Sequence, residues 1–275
     1  MSAATLQAAV GTVPRTSASG APLLAINALS MSFGGVKALS DISLNVAPGS
    51  ITSIIGPNGA GKTTFFNMIC RLYDPVGGNI HFDGQDLRPH RPHDLAGLGI
   101  SRTFQNLALF RHGTVIDNLL VGQHSRLRSG VFSGAWFLGR TAREENQARE
   151  RVETIIEFLE IEEIRHQPVS TLSYGLQKRV ELGRALATGP KLLLLDEMVS
   201  GMNQEETEDI ARFVLDLRDE LGITVLMIEH DMDVVMDISD AIHVLNFGLR
   251  IASGTPQEIA ANPAVIDAYL GVSRT

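Results

Sequence analysis

Short apolar runs separated by turn-forming residues dominate the first third of the chain. They are rich in β-branched and aliphatic side chains, and pairs of glycine with glycine, proline or aspartate lie between them. Runs of this length with such boundaries predict β-strands. The four runs are residues 23–33, 42–46, 50–55 and 79–82. Because several of these strands precede the first clear helical pattern, we expect an antiparallel β-layer beside the core of the fold.

The rest of the chain alternates helical and strand-like patterns. Residues 191–195 and 223–228 are continuously apolar, as strands buried on both faces of a parallel sheet should be. Residues 142–160 and 205–221 instead place apolar side chains on one helical face. These patterns predict an α/β fold with a parallel core, and they place the helix at 142–160 in an insertion within that core.

Local sequence signals predict further element boundaries. Ser173 is a natural N-cap for a helix that runs to about residue 187. Residues 241–246 and 249–253 read as a hairpin around Gly248. Thr255 and Glu258 form a capping-box pattern at the start of a C-terminal helical region.

Composition and charge limit the class of protein. The 275 residues are 44% hydrophobic and 20% charged, an ordinary balance for a globular protein, and the net charge of −8 weighs against a nucleic-acid-binding surface. The single cysteine, Cys70, excludes an internal disulfide and fits a reduced, cytosolic compartment. No run approaches the roughly 18 apolar residues of a membrane span, so we expect any membrane role to act through a partner. Residues 1–22 are small, polar and turn-rich, which predicts a disordered leader.

A glycine-rich loop between a predicted strand and a predicted helix carries the clearest chemical signal. Its pattern is G-x-x-x-x-G-K-[ST], and the residues are Gly56, Pro57, Asn58, Gly59, Ala60, Gly61, Lys62, Thr63 and Thr64. The glycines let backbone N–H groups converge on phosphate oxygens, and the helix N-terminus adds partial positive charge. Lys62 is placed to reach the β- and γ-phosphates, and the Thr63 hydroxyl is placed to ligate Mg²⁺. The loop predicts a nucleoside triphosphate ligand, here ATP with Mg²⁺ as cofactors.

Polar residues follow two of the buried strands. Asp196 ends the apolar run 191–195, where a carboxylate can hold Mg²⁺ directly or through water. The adjacent Glu197 can polarise an attacking water as a general base. His230 follows the run 223–228, and the carboxyl ends of parallel strands share one edge of a sheet. Alone, each of these residues is more often structural, and only their combination with the phosphate loop predicts triphosphate hydrolysis.

With these motifs in place, residues 23–273 resemble an ATP-binding cassette (ABC) ATPase. That resemblance implies a P-loop NTPase with a RecA-like parallel core, an antiparallel β-subdomain and a helical signature subdomain inserted at about residues 106–187. It implies that Gln105 contacts Mg²⁺ and the attacking water, and that His230 contacts the γ-phosphate. The sequence LSYGL at 172–176 stands where the family has its signature, and Ser173 and Gly175 would contact the ATP of a second cassette. Phe33 matches the position that stacks on adenine, although a core aromatic is the simpler alternative.

Several stretches resemble one branch more closely, the first of the two ATPases of bacterial branched-chain amino acid importers. They are LSYG, GVFSGAW, IEHDMDVVMDISDAIHVLNFG and NPAVIDAYLG. This resemblance implies a cytoplasmic subunit at the inner face of the membrane. Its partners would be a second ATPase, identical or different, and two permease subunits fed by a periplasmic binding protein, with no nucleic acid.

The signature and the residues near the carboxylate pair depart from the common family pattern. Tyr174, Leu176, Met198 and Asn203 replace the usual glycine, glutamine, proline and aspartate. Leu176 removes a hydrogen-bonding group, but Ser173 and the Gly175 backbone remain, so we expect hydrolysis to survive. The alternatives are an importer for urea or short amides, a non-transport ABC protein acting on nucleic acid, and an unrelated phosphate-loop kinase. A kinase would have no use for LSYG or His230.

Overall fold

The computed structural model describes residues 3–10, 20–103, 109–123 and 138–270. Within these residues the strands are β1 (Leu24–Phe33), β2 (Val36–Val46), β3 (Ile51–Ile55), β4 (Gly77–Phe82), β5 (Gln85–Asp86), β6 (Ile100–Arg102), β7 (Leu192–Asp196), β8 (Thr224–Ile228), β9 (Ala241–Asn246) and β10 (Leu249–Gly254). The helices are α1 (Ala3–Val10), α2 (Lys62–Ile69), α3 (Leu95–Leu98), α4 (Val115–Gln123), α5 (Leu138–Phe158), α6 (Tyr174–Ala187), α7 (Gln204–Asp219), α8 (Met232–Ile238), α9 (Pro256–Ala260) and α10 (Pro263–Leu270).

Two β-sheets organise the described residues. A four-stranded antiparallel sheet has the order β2-β1-β4-β5, and a six-stranded sheet has the order β10-β9-β3-β8-β7-β6. In the larger sheet β3 pairs in parallel with β8 and β9, and β7 pairs in parallel with β6 and β8. The β9–β10 pair is the predicted antiparallel hairpin at the sheet edge. The prediction of a parallel core beside an antiparallel layer is confirmed.

The central strands β3, β7 and β8 of the larger sheet are buried on both faces, as their apolar runs predict. Along β3, Ile51 and Ile55 join one hydrophobic cluster while Ile54 joins the other. The leucines of β7 divide between the same two clusters. Side chains on a strand alternate between its faces, so both faces must be covered when every residue is apolar. The sheet therefore forms the rigid middle layer that positions the functional residues.

Helices α4, α5 and α6 pack against one another and lie between β6 and β7 in the chain. The predicted apolar face of α5 is fully buried at Val152, Ile155 and Ile156. The predicted caps are confirmed, because Ser173 caps α6 and the Thr255–Glu258 capping box opens α9. None of the helices in the described ranges combines the length and the apolar character that crossing a bilayer requires.

The first residues of the chain differ from the prediction of a disordered leader. Ala3–Val10 forms helix α1, which packs against α5. Leu6, Ala9 and Val10 are buried, and the Gln7 side chain donates to the Glu220 carbonyl at 2.8 Å. Residues 3–10 have the composition of a loop, but the spacing of Leu6, Ala9 and Val10 places these apolar side chains on one side of a helix. Tertiary burial of that stripe decides the conformation.

Four strands differ from the prediction by two residues or more. β4 begins at Gly77 rather than at residue 79, and β5 falls in no predicted run. β2 begins at Val36 rather than at residue 42, and Phe33 pairs with Val36 across a two-residue turn. Gly34 and Gly35 both have positive φ, as the primed hairpin turns require. β6 was not predicted, because three residues are too short for a periodic pattern, and its pairing with β7 alone defines it.

Candidate functional site

The carboxyl ends of three neighbouring strands meet at one edge of the parallel sheet. β3 leads into the glycine loop, β7 ends at Asp196, and β8 is followed by Glu229 and His230. A cavity of about 560 Å³ opens there. It is lined by Val36, Lys37, Ala38, residues 58–64, Glu197, His230 and Phe247. The topology thus brings together the loop and two of the polar residues that follow the buried strands.

The glycine loop is held in place by close contact with β9. Gly56 has φ 149, and a Cβ at this position would lie 2.0 Å from the Leu245 carbonyl oxygen. Gly61 has φ 102 and occupies the N-cap of α2, where it supplies no side-chain cap. The first N–H groups of α2 are therefore left for an anion, which the positive end of the helix also favours.

Lys62 projects from the first turn of α2 back across the loop. Its ammonium donates to the Gly56 carbonyl at 2.6 Å and to the Pro57 carbonyl at 3.1 Å, and the residue is only 6% exposed. Burial lowers the pKa of Lys62, while the negative charges of Glu197 and Asp196 oppose that shift. The loop therefore holds a fixed cation within the field of both carboxylates.

Asp196 is the buried carboxylate of the site, with 1% exposure. One carboxylate oxygen, Oδ2, accepts from Arg102 Nη2 at 2.6 Å. The other, Oδ1, finds no hydrogen-bond partner among the described residues. A buried carboxylate oxygen without a partner is costly, and an oxygen ligand of this kind suits Mg²⁺, which binds one or two carboxylates together with substrate phosphates. The donor set present therefore fits magnesium.

Glu197 and His230 form a pair at the mouth of the cavity. Glu197 Oε1 lies 2.7 Å from His230 Nε2, and the side chains are 19% and 43% exposed, respectively. Glu197 has φ 50, a conformation that costs a non-glycine residue about 1–2 kcal/mol. Its backbone N–H donates to the Ile228 carbonyl at 2.9 Å, which ties β8 to this turn. Backbone strain often lies at functional sites, and here it lies at the residue that pairs with His230.

Glu229 lies behind this pair and is 3% exposed. Its Oε1 accepts from the Val199 backbone N–H at 3.1 Å. Burial raises the pKa of Glu229 to about 7, while hydrogen bonds from the backbones of Val199, Met198 and His230 pull it down. This carboxylate joins the loop after Glu197 to the segment that carries His230. Glu229 is absent from the predicted site, although it stands directly after a continuous apolar strand, which is the available signal in the sequence.

The predicted signature residues lie on a different surface. The Ser173 hydroxyl accepts from the Leu176 N–H at 3.3 Å and caps α6. Gly175 packs against Glu206 at the start of α7, and a Cβ on Gly175 would lie 2.2 Å from the Glu206 Oε1. Neither Ser173 nor Gly175 lines the cavity of the glycine loop. Within the chain, the two predicted parts of the nucleotide site are separate.

One other predicted residue, Phe33, does not line the cavity. Phe33 is 43% exposed at the end of β1, where its ring packs edge-on against Tyr73 with centroids 5.2 Å apart. Gln105 lies outside the described residues, as does the GVFSGAW stretch. Among the described residues, the phenylalanine that does line the cavity is Phe247, which is 84% exposed in the β9–β10 turn and is absent from the predicted site. Its exposure and its place beside the glycine loop come from the fold, and the available signal in the sequence is an apolar aromatic residue in the turn of the predicted hairpin.

Comparison with protein-family models gives two matches. The model described as ABC transporter matches residues 39–200. The model described as branched-chain amino acid ATP-binding cassette transporter matches residues 250–274, which include α10. The first match spans the glycine loop, the helical insertion and Asp196.

Comparison with individual proteins also finds ATP-binding subunits of ABC transporters. The chain is 44% identical to the high-affinity branched-chain amino acid transport ATP-binding protein LivG of Escherichia coli (strain K12), over 91% of this chain and 98% of that protein. It is 43% identical to BraF of Pseudomonas aeruginosa, which carries the same description, with the same coverage. Among solved structures, the ADP conformation of an ATP-binding cassette of an ABC transporter matches with a TM-score of 0.80 and 34% identity, over 91% of this chain and 99% of that one.

Proposed function

The chain belongs to the ABC transporter family of ATP-binding proteins, and on this basis we propose that it is the ATP-hydrolysing subunit of an importer for branched-chain or related amino acids. The observation that carries the hydrolytic role is the Glu197–His230 pair, 2.7 Å apart, at the mouth of the cavity that the glycine loop lines. Glu197 polarises the attacking water as general base. His230 orients Glu197 and contacts the γ-phosphate.

The remaining residues of this edge bind and neutralise the triphosphate. Lys62 and the loop N–H groups hold the β- and γ-phosphates. Asp196 Oδ1 and the Thr63 hydroxyl would hold Mg²⁺, joined by Gln105 as the family resemblance implies. When bound, Mg²⁺ supplies charge neutralisation on the phosphate oxygens. Phe33 is the residue proposed to stack on adenine.

A complete site needs a second cassette. The serine-capped start of α6 presents an exposed helix N-terminus, which favours an anion. Because Ser173 and Gly175 do not line the cavity of their own chain, they serve the ATP held by the partner cassette. Two chains, identical or different, close head to tail over two ATP molecules, and hydrolysis separates them.

The membrane partners are two permease subunits, which place this chain at the cytoplasmic face of the membrane. An apolar groove of about 430 Å³ lies where the sheet edge meets the helical insertion. Leu72 and Val121 line it and are 52% and 42% exposed. Exposed apolar side chains around a groove fit a helical loop of a partner protein. A periplasmic binding protein acts indirectly, and no nucleic acid takes part.

The cargo is proposed from the likeness to LivG and BraF and from the C-terminal match at residues 250–274. The test of cargo is uptake of labelled leucine into cells that carry this ATPase together with the permease and binding-protein subunits of a branched-chain amino acid importer. Uptake of urea or an amide without leucine would assign the cargo to the alternative. Co-purification with RNA or DNA and with no permease would defeat the transport function.

The test of hydrolysis is Glu197→Gln. We expect phosphate release from MgATP to fall by at least about a hundredfold, because a general base contributes about 10²–10⁴ in rate. ATP binding should be retained, since the loop and Lys62 are untouched. Glu205→Gln, an exposed change on α7, is the matched control and should turn over normally. Turnover that survives Glu197→Gln contradicts the mechanism.

A further inference from the structure

Arg102 lies directly behind the carboxylate of the site. It is the last residue of β6, at the edge of the six-stranded sheet, and β6 pairs with β7. Its Nη2 donates to Asp196 Oδ2 at 2.6 Å. Its Nη1 donates to Asn67 Oδ1 at 2.7 Å, on the helix that follows the glycine loop. The guanidinium also lies over the ring of Phe66, 5.7 Å from its centroid. One side chain thus ties strand β7 to helix α2.

A contribution to folding stability does not by itself explain the buried ion pair of Arg102 and Asp196. The Arg102 and Asp196 side chains are 10% and 1% exposed. Removing two charges from water costs about as much as their attraction returns, and apolar replacement of a buried pair is often neutral or stabilising. A planar guanidinium with two directed donors does supply fixed geometry. The arrangement therefore calls for a role in which the orientation of Asp196 matters.

The two oxygens of Asp196 are in different situations. Oδ2 is taken by Arg102, whereas Oδ1 has no hydrogen-bond partner among the described residues. The residue after Arg102 also contacts Asp196, because the Asp196 backbone N–H donates to the Thr103 hydroxyl oxygen at 3.3 Å. We propose that Arg102 is a positioning residue, which occupies Oδ2 of Asp196 and thereby presents Oδ1 to the magnesium of MgATP. This inference rests on the Mg²⁺ role of Asp196 proposed above.

The test is the magnesium dependence of nucleotide binding rather than turnover. The dissociation constant of a fluorescent ATP analogue is measured in EDTA and in Mg²⁺. The value in EDTA divided by the value in Mg²⁺ reports how much the metal strengthens binding. For Arg102→Met we expect this ratio to fall about tenfold or more, because partners of metal ligands contribute about 10–100-fold in metal affinity. The dissociation constant in EDTA should stay within about twofold. Arg102→Lys keeps the charge but loses the planar fork, so its ratio should lie between those of the wild type and Arg102→Met.

Arg179→Met is the matched control. Arg179 also pairs with an aspartate, Asp209, and its guanidinium also lies over a phenylalanine ring, Phe213, at 5.3 Å, but it joins α6 to α7 outside the cavity. Its ratio should equal that of the wild type. If Arg102→Met does not fold, as circular dichroism would show, Arg102→Lys carries the test.

Three outcomes overturn a claim. An unchanged ratio in the Arg102 variants defeats the inference. An equal loss in EDTA and in Mg²⁺ also defeats it, since Arg102 would then act on the phosphate-loop helix through Asn67. A wild-type protein with no magnesium dependence defeats the proposed metal site itself.

Discussion

The two ends of the proposed nucleotide site differ in burial and in the groups that they offer. At the phosphate-loop end, charged groups are buried and held by several partners: Lys62 by loop carbonyls, Asp196 by Arg102. At the signature end, the start of α6 is exposed at Ser173 and offers a capped helix terminus. The first end is preorganised to stabilise charge, whereas the second adds only donors and a dipole. A ligand can bind the first alone, and the second has a use only when another molecule brings an anion to it.

The most direct test of this difference is to disable each end separately. Lys62→Ala should weaken ATP binding to the monomer by about 10–100-fold, because a hydrogen bond to a charged group contributes about 1.5–3 kcal/mol. Ser173→Ala should leave that affinity within about twofold and lower ATP-driven dimer formation and turnover by roughly tenfold. Fluorescent-nucleotide titration and light scattering measure the two effects.

The exposed Ser170→Ala, just before the signature, is the control for Ser173 and should change neither quantity. A large loss of monomer affinity in Ser173→Ala would mean that both ends bind the same ATP within one chain.

Glycines at the two ends should differ in how much unfolding free energy is lost when alanine replaces them. At Gly56 a Cβ would meet a backbone oxygen at 2.0 Å, so Gly56→Ala should cost about 3 kcal/mol of unfolding free energy. At Gly175 the Cβ would meet the end of the Glu206 side chain rather than backbone, and among the described residues moving that carboxylate would disturb only the hydrogen bond that its Oε2 accepts from the Asn203 N–H. Alanine favours a helix by up to about 1 kcal/mol, which opposes this cost. Gly175→Ala should therefore change stability by less than about 1 kcal/mol. Urea denaturation measures both.

Gly59→Ala separates strain from collision. Gly59 has φ 80, and a Cβ at this position would meet nothing within 4 Å, so its substitution should cost only the roughly 1–2 kcal/mol of a left-handed backbone. Equal costs at Gly56 and Gly59 would show that the Leu245 carbonyl does not constrain the loop.

A pH dependence is expected at the phosphate-loop end, where Glu229 lies behind the Glu197–His230 pair. Burial raises the pKa of Glu229 from 4.5 to about 7, so between these values the native state holds a proton that the unfolded state has released. The contribution of Glu229 to the unfolding free energy should therefore fall as pH rises through this window, by roughly 2 kcal/mol. Burial lowers the pKa of His243 to about 4, which acts in the opposite direction, so the contribution of Glu229 is read from the difference in unfolding free energy between the wild type and Glu229→Gln. Chemical denaturation between pH 5 and pH 8 measures this difference. A slope identical to that of the wild type would show that Glu229 does not titrate there.

The sequence could predict those parts of the site that depend on local pattern. Strand, glycine loop and helix follow one another in the chain, so the context of Gly56 and Lys62 is visible without tertiary contacts. Asp196 and His230 were placed at the same sheet edge, because continuous apolar strands predict a parallel sheet and parallel strands end together. Phe33 shows the limit of this reasoning. The resemblance implies that Phe33 stacks on adenine, whereas its contact with Tyr73 depends on how β1 meets the segment after α2.

Local patterns in the sequence are thus enough for the order of most strands and helices, the glycine loop and the carboxylates at the strand ends, because these follow from periodicity and turn chemistry. Three features come from tertiary packing: Arg102 meets Asp196 across 94 residues, α1 is buried, and Glu197 takes a left-handed backbone. These features depend on which side chains lose their water when distant segments pack. A buried charge or a strained residue persists only where the surrounding fold fixes its partners, and no local pattern records that.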